Sequence, residues 1–209
     1  TDFKISNNEY IYLYNPAGAI IDSIYTDYLQ VNQVRARIPD AGGWCYAETS
    51  TPLAANAGTC YSGYAESPVI TTNPGFYDGS VDVTVTGTEI YYTTDGSNPE
   101  PGGTLYTAPI TFSNTGVLKA IQVETGKLPS PVVTGSYFID EPITLPVISV
   151  IGDPCDLFNE GPDCIGAYDN AEGWFNHNPK ISVAVEYFDT DKVKQLGDNF
   201  KFECVGNYS

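Results

Sequence analysis

Five cysteines, a single histidine and a surplus of carboxylates are the side chains of this 209-residue sequence with the reach for covalent, ligating or acid–base chemistry. Cys45 and Cys60 bracket a loop rich in Thr, Ala and Pro, while Cys155 and Cys164 bracket the turn DLFNEGPD. Neither spacing is the two-residue step of a zinc or redox motif, and His177 sits in a polar turn, WFNHNPK, outside any ligand pattern. Two local disulfides formed in an oxidising compartment are expected, Cys45 with Cys60 and Cys155 with Cys164. A closed loop of about 15 residues restricts the unfolded chain by roughly 3 kcal/mol in the chain-entropy model. Cys204 is left over, either free or paired outside this chain.

The carboxylates give 26 acidic against 9 basic side chains and a formal charge of −17. Such a surface repels phosphate backbones and anionic lipid, which excludes nucleic acid as a partner. A solvated extracellular surface is the plain reading, so no cofactor is expected. The sharper alternative is a cation such as calcium in the acidic loop Asp153–Asp169, although the D-x-[DN]-x-[DN]-G loop is absent. Carboxylate pairs such as Asp153 and Asp156 are too common in so acidic a chain to indicate glycosidase geometry. Neither a phosphate-cradling glycine loop nor a G-x-S-x-G elbow occurs, so no catalytic residues are assigned.

Aromatic residues offer a second kind of chemistry. Tyr91, Tyr92 and Tyr106 are candidates for a platform that stacks on sugar rings, with strand alternation expected to bury some of them. Asp95 invites a reading as a calcium or sugar contact. The Asp95-Gly96 step is better explained as a turn, with the side chain bonding its own backbone and the glycine supplying positive φ.

The elements that must position these residues are strands. Sixteen tyrosines, fifteen prolines and twenty glycines favour short strands joined by tight turns. No helical period is sustained, and no run approaches the length needed to cross a membrane as a helix. Tyr10, Tyr12 and Tyr14 alternate with Ile11 and Leu13, then Asn15-Pro16-Ala17-Gly18 turns the chain into a return strand over Ala19–Ile24. Trp44 is expected in a core. A central strand is expected over Val81–Thr86, then Ile90–Thr94, Ile110–Phe112 and Val117–Ile121. Beyond Asp140-Glu141-Pro142 come strands over Leu145–Ile151 and Ile181–Asp189, with Val183, Val185 and Tyr187 on one face, and a third within NFKFECVGNYS.

Three stretches resemble known families. The turn YTTDGSNP at 92–99, followed by LYTAPI at 105–110, resembles the small β-sandwich module at the C-terminus of chitobiases and β-hexosaminidases, over about Pro68–Ile139. YLYNPAG at 12–18, IIDS, RIPDAGGW at 37–44 and TPLAAN at 51–56 resemble the latter half of a lamin-tail domain, an immunoglobulin-like sandwich whose opening strands would precede Thr1. LPVIS at 145–149, DPCDLF, IGAY and VEYFD, in that order, resemble the start of a spore-coat CotH-type kinase domain. There Lys201 holds the family's arginine position and Gly206 its final glycine, and the implied phosphate-contacting lysine and metal ligands would lie beyond Ser209.

The expected architecture is therefore mainly all-β. Tandem immunoglobulin-like sandwiches over residues 1–63 and 68–139 would be followed by the N-terminal β portion of an incomplete domain over 144–209. The sequence has no methionine and neither end carries a targeting pattern, so it reads as a stretch of a longer protein. The resemblances imply a non-catalytic scaffold, adhesion or assembly segment of a bacterial cell-surface or secreted protein. Its partners would be the rest of its own polypeptide or other surface proteins. A carbohydrate-binding accessory module, and the N-terminal portion of a secreted CotH-type kinase, are the alternatives.

Overall fold

A computed structural model describes residues 5, 8–27, 29–30, 33–158 and 181–202. It is mainly β, with one four-residue helix among the described residues. The chain divides into two compact units, Thr1–Gly63 and Tyr64–Ser209.

In the first unit, β1 (Tyr10–Tyr14) and β2 (Ile20–Tyr25) form an antiparallel hairpin, with Tyr10 opposite Tyr25 and Tyr12 opposite Ser23. Asn15 closes the turn: its Oδ1 accepts from the amides of Ala17 and Ala19, the local side-chain bond that makes Asn a turn residue. A second pair joins β3 (Val34–Arg37) to β4 (Trp44–Ala47). The disulfide Cys45–Cys60 ties β4 to the segment that follows, with Cα atoms 5.4 Å apart. Cys45 and Ala47 are the apolar side chains that this unit buries among its described residues. So little buried area makes covalent closure by the disulfide a larger share of its stability. Trp44, expected in a core, is instead 38% exposed, with the Arg37 guanidinium 4.9 Å above its ring. Arg37 also pairs with Asp22 and donates to the Gly42 carbonyl, so the indole packs under a cation rather than into an apolar interior.

The second unit is built in layers. A five-stranded sheet runs in the order β10 (Thr104–Leu105), β9 (Glu89–Thr93), β12 (Gly116–Val123), β13 (Val133–Ile139), β6 (Gly75–Tyr77), antiparallel except for the β13–β6 pair. Facing it are the pairs β7 (Val81–Val83) with β11 (Ile110–Phe112) and β5 (Val69–Ile70) with β8 (Val85–Thr86). Alternate residues of both layers, among them Val83, Ile90, Leu118, Ala120 and Tyr137, interdigitate as the sandwich core.

The strand expected over Val81–Thr86 is two strands. At Thr84 the chain changes partners from β11 to β5, and the Thr84 amide is taken by Thr72 Oγ1 at 3.0 Å.

The other face of the five-stranded sheet carries a third layer. This is the antiparallel sheet β14 (Val147–Gly152), β15 (Ile181–Phe188), β16 (Lys194–Phe202), together with α1 (Pro154–Leu157). Phe138 stacks on Phe76 at 4.5 Å, and fully buried Phe188 meets both rings edge-on. The described residues of the stretch expected to begin a further domain over 144–209 thus lie against the sandwich in the same compact unit.

Candidate functional site

The polar centre of the second unit lies where the turn after β9 meets α1. Asp95 Oδ1 accepts from the Ser97 amide at 3.0 Å and the Ser97 hydroxyl at 2.6 Å, and these bonds hold its carboxyl below the usual carboxylate range. Gly96 has φ +88°, a region costly for residues with a side chain. Thr93 Oγ1 donates to the Ser97 carbonyl at 2.6 Å, which closes the turn. The turn then reaches α1: the Asn98 amide donates to Asp153 Oδ2 at 2.7 Å, while Asp153 Oδ1 caps the helix by accepting from the Cys155 amide.

Beneath the turn lies a cation. Lys119, on β12 opposite Thr93, is 3% exposed, and its Nζ donates to Asn98 Oδ1 at 3.2 Å. Burial pulls its pKa down against the favourable fields of Asp153, Asp156 and Asp95. Asp156, in the first turn of α1, is pushed up by burial and by the neighbouring Asp153 charge, with Lys119 and Lys201 opposing. Lys201 itself is exposed on β16 and donates to Ser182 Oγ at 2.7 Å.

A second buried charge, Glu186 on β15, joins the layers. It is 2% exposed, accepts from the Ser136 amide at 2.8 Å, and pairs with Lys194. Lys119 and Glu186 both escape pattern reading, because a charged residue within an alternating strand is taken for the solvent face. Only a third layer on the sheet puts them inside.

The candidate aromatics do not share one face. Tyr92 and Tyr106 meet edge-on at 6.3 Å and pack against the sandwich core, where the Tyr106 hydroxyl accepts from the Val85 amide. Their neighbour Tyr91 alternates to the opposite face of β9, and its hydroxyl donates to Glu89 at 2.8 Å. A tyrosine row lies instead on the hairpin of the first unit. Tyr10 and Tyr12 stack at 5.7 Å, Tyr12 and Tyr14 stand 6.2 Å apart, and Tyr25 leans on Tyr10 at 4.8 Å. All four rings are exposed.

Of the cysteines, Cys45 and Cys60 are bonded as expected. Cys155 is also disulfide-bonded, while Cys164 and Cys204 lie outside the described residues, as do His177, Gly206 and the acidic loop from residue 159 to Asp169. Among the described residues no three His, Cys, Asp or Glu side chains converge as metal ligands. No helix of the described residues is long and apolar enough to cross a membrane.

A family model described as Fn3 associated matches residues 81–137, which run from β7 into β13. No curated protein and no solved structure matches the chain significantly. This stretch is thus similar to fibronectin type III associated sequences, and the likeness suggests a non-enzymatic extracellular module.

Proposed function

We propose that the chain is a non-catalytic segment of a modular cell-surface or secreted protein, acting as a spacer and an assembly element. The observation that carries this reading is the Fn3-associated likeness over 81–137, falling on most of the strands of a sandwich whose polar side chains are spent on turns and joints. The Cys45–Cys60 bond fits an oxidising compartment. In this reading residues 1–63 are the latter half of a lamin-tail-like sandwich, in keeping with how little they bury. Residues 68–139 are a chitobiase-like module, and 144–209 begin a CotH-like domain. The test is turnover: the full chain is assayed for ATP hydrolysis with magnesium or manganese, and against general glycosidase and esterase substrates. No activity above background is expected, and activity that disappears with Lys201→Ala would overturn the proposal.

One observation favours a second reading, binding of a neutral glycan. Tyr10, Tyr12, Tyr14 and Tyr25 form an exposed row of rings of the kind that stacks on sugar faces. Affinity electrophoresis in soluble glucans, mannans and chitin oligomers should then retard the chain, and Tyr12→Ala with Tyr14→Ala should release it. Equal migration in every gel would remove this reading and leave the first intact.

A further inference from the structure

Lysines are almost never fully buried unless paired. Lys119 is 3% exposed, and its Nζ lies 3.2 Å from Asn98 Oδ1, across 21 residues of chain. The geometry points to an intramolecular amide between Lys119 Nζ and Asn98 Cγ, closed with release of ammonia.

Each participant is held in place before reaction. The Asn98 backbone is held by its N–H donating a hydrogen bond to Asp153 Oδ2, and Lys119 by strand pairing to Thr93 on one side and Thr134 on the other. Such fixing turns an unfavourable encounter into a neighbour reaction. An amine attacks only when neutral, and the burial that lowers the pKa of Lys119 raises that fraction. Asp156, whose field acts on Lys119, retains its proton more readily than an ordinary aspartate because it is buried beside Asp153.

The step balances without an oxidant or cofactor. The Nζ lone pair forms the bond to Cγ while the carbonyl electrons move onto Oδ1. Their return expels Nδ2, which takes the proton surrendered by the attacking nitrogen. Amine and carboxamide become a secondary amide and ammonia, which leaves towards solvent because Asn98 is at the surface. The product would staple β12 to the turn before β10 with a bond that reductants do not break.

The intact mass of the full chain, after its disulfides are reduced, tests this. Expected is a mass lower than that of the sequence by one ammonia, together with a branched chymotryptic peptide joining the segments that hold Asn98 and Lys119. Trypsin should not cut after Lys119 in the denatured chain. Lys119→Arg and Asn98→Ala should each restore the sequence mass. A wild-type mass equal to that of the sequence, with ready tryptic cleavage after Lys119, would overturn the proposal whether or not either variant folds. A deficit that survives in Lys119→Arg would overturn it as well.

Discussion

Gly96 and Asp156 show how single residues set the polar centre. At Gly96 a β-carbon would find only ordinary contacts, the Gly152 carbonyl at 3.6 Å and Pro154 at 3.8 Å, so the constraint is its φ of +88°. Gly96→Val should therefore cost about 1–3 kcal/mol through backbone strain. Asp95→Asn keeps an acceptor for Ser97 and tolerates the turn, so its cost should be much smaller. Urea midpoints compare the two, and equal midpoints would refute the turn assignment. At Asp156 the sign runs the other way from an ordinary paired carboxylate. Its pKa is raised in the folded chain, so that state holds the proton to higher pH than the unfolded one. Stability from this group is present below the unfolded value and declines as pH rises through the raised one. Asp156→Asn removes the decline, and the variant should gain on the wild type as the pH is raised through and above the ordinary aspartate range. A difference in midpoint that stays constant across that range would show that Asp156 titrates as it does in the unfolded chain.

Among the elements, β15 has the most demanding position, paired on both edges and packed on the sandwich. Glu186 fixes its height over β13 by taking the Ser136 amide, beside which the Ser136 and Ser149 hydroxyls share a 2.8 Å bond. Glu186→Ala leaves that buried amide without its acceptor and should cost about 1–3 kcal/mol. Glu186→Gln retains an acceptor and loses only the charge facing partly exposed Lys194, so it should cost less. Thermal melts of both variants check the order, and the reverse order would mean that the ion pair dominates the joint. Alternation along the chain made much of this legible: the Tyr10–Tyr14 and Ile181–Phe188 strands, the Ile110–Phe112 strand and the Asp95-Gly96 turn all lie where the residue pattern puts them. What it could not show is which face of a strand meets another sheet. Phe138 and Lys119 lie on the face of the five-stranded sheet away from the sandwich core, and only the third layer buries Lys119. Trp44 fails in the opposite sense, because large aromatic size implies a core that the described residues of 1–63 do not build. The Val81–Thr86 run is apolar enough for one strand, yet a hydroxyl bond at Thr84 hands the chain to a new partner.

At the scale of the molecule, the second unit joins the sandwich to a third layer. The sandwich offers Phe76 and Phe138 on its outer face, and Phe188 of the third layer completes that cluster. The same layer brings Asp153 to the turn at Asn98 and Glu186 to Ser136. A chain ending at Asp140 would expose the two phenylalanines, open the cover over Lys119 and strand the Ser136 amide. Loss of one large aromatic from a packed site costs about 3–5 kcal/mol, which approaches the whole stability of a small domain. Residues 64–140 should therefore melt far below residues 64–209, or fail to fold, whereas 64–209 should unfold in one cooperative transition by both calorimetry and fluorescence. If 64–140 instead melts at the temperature of the longer fragment, the third layer is an independent neighbour joined to the sandwich through residues 140–144.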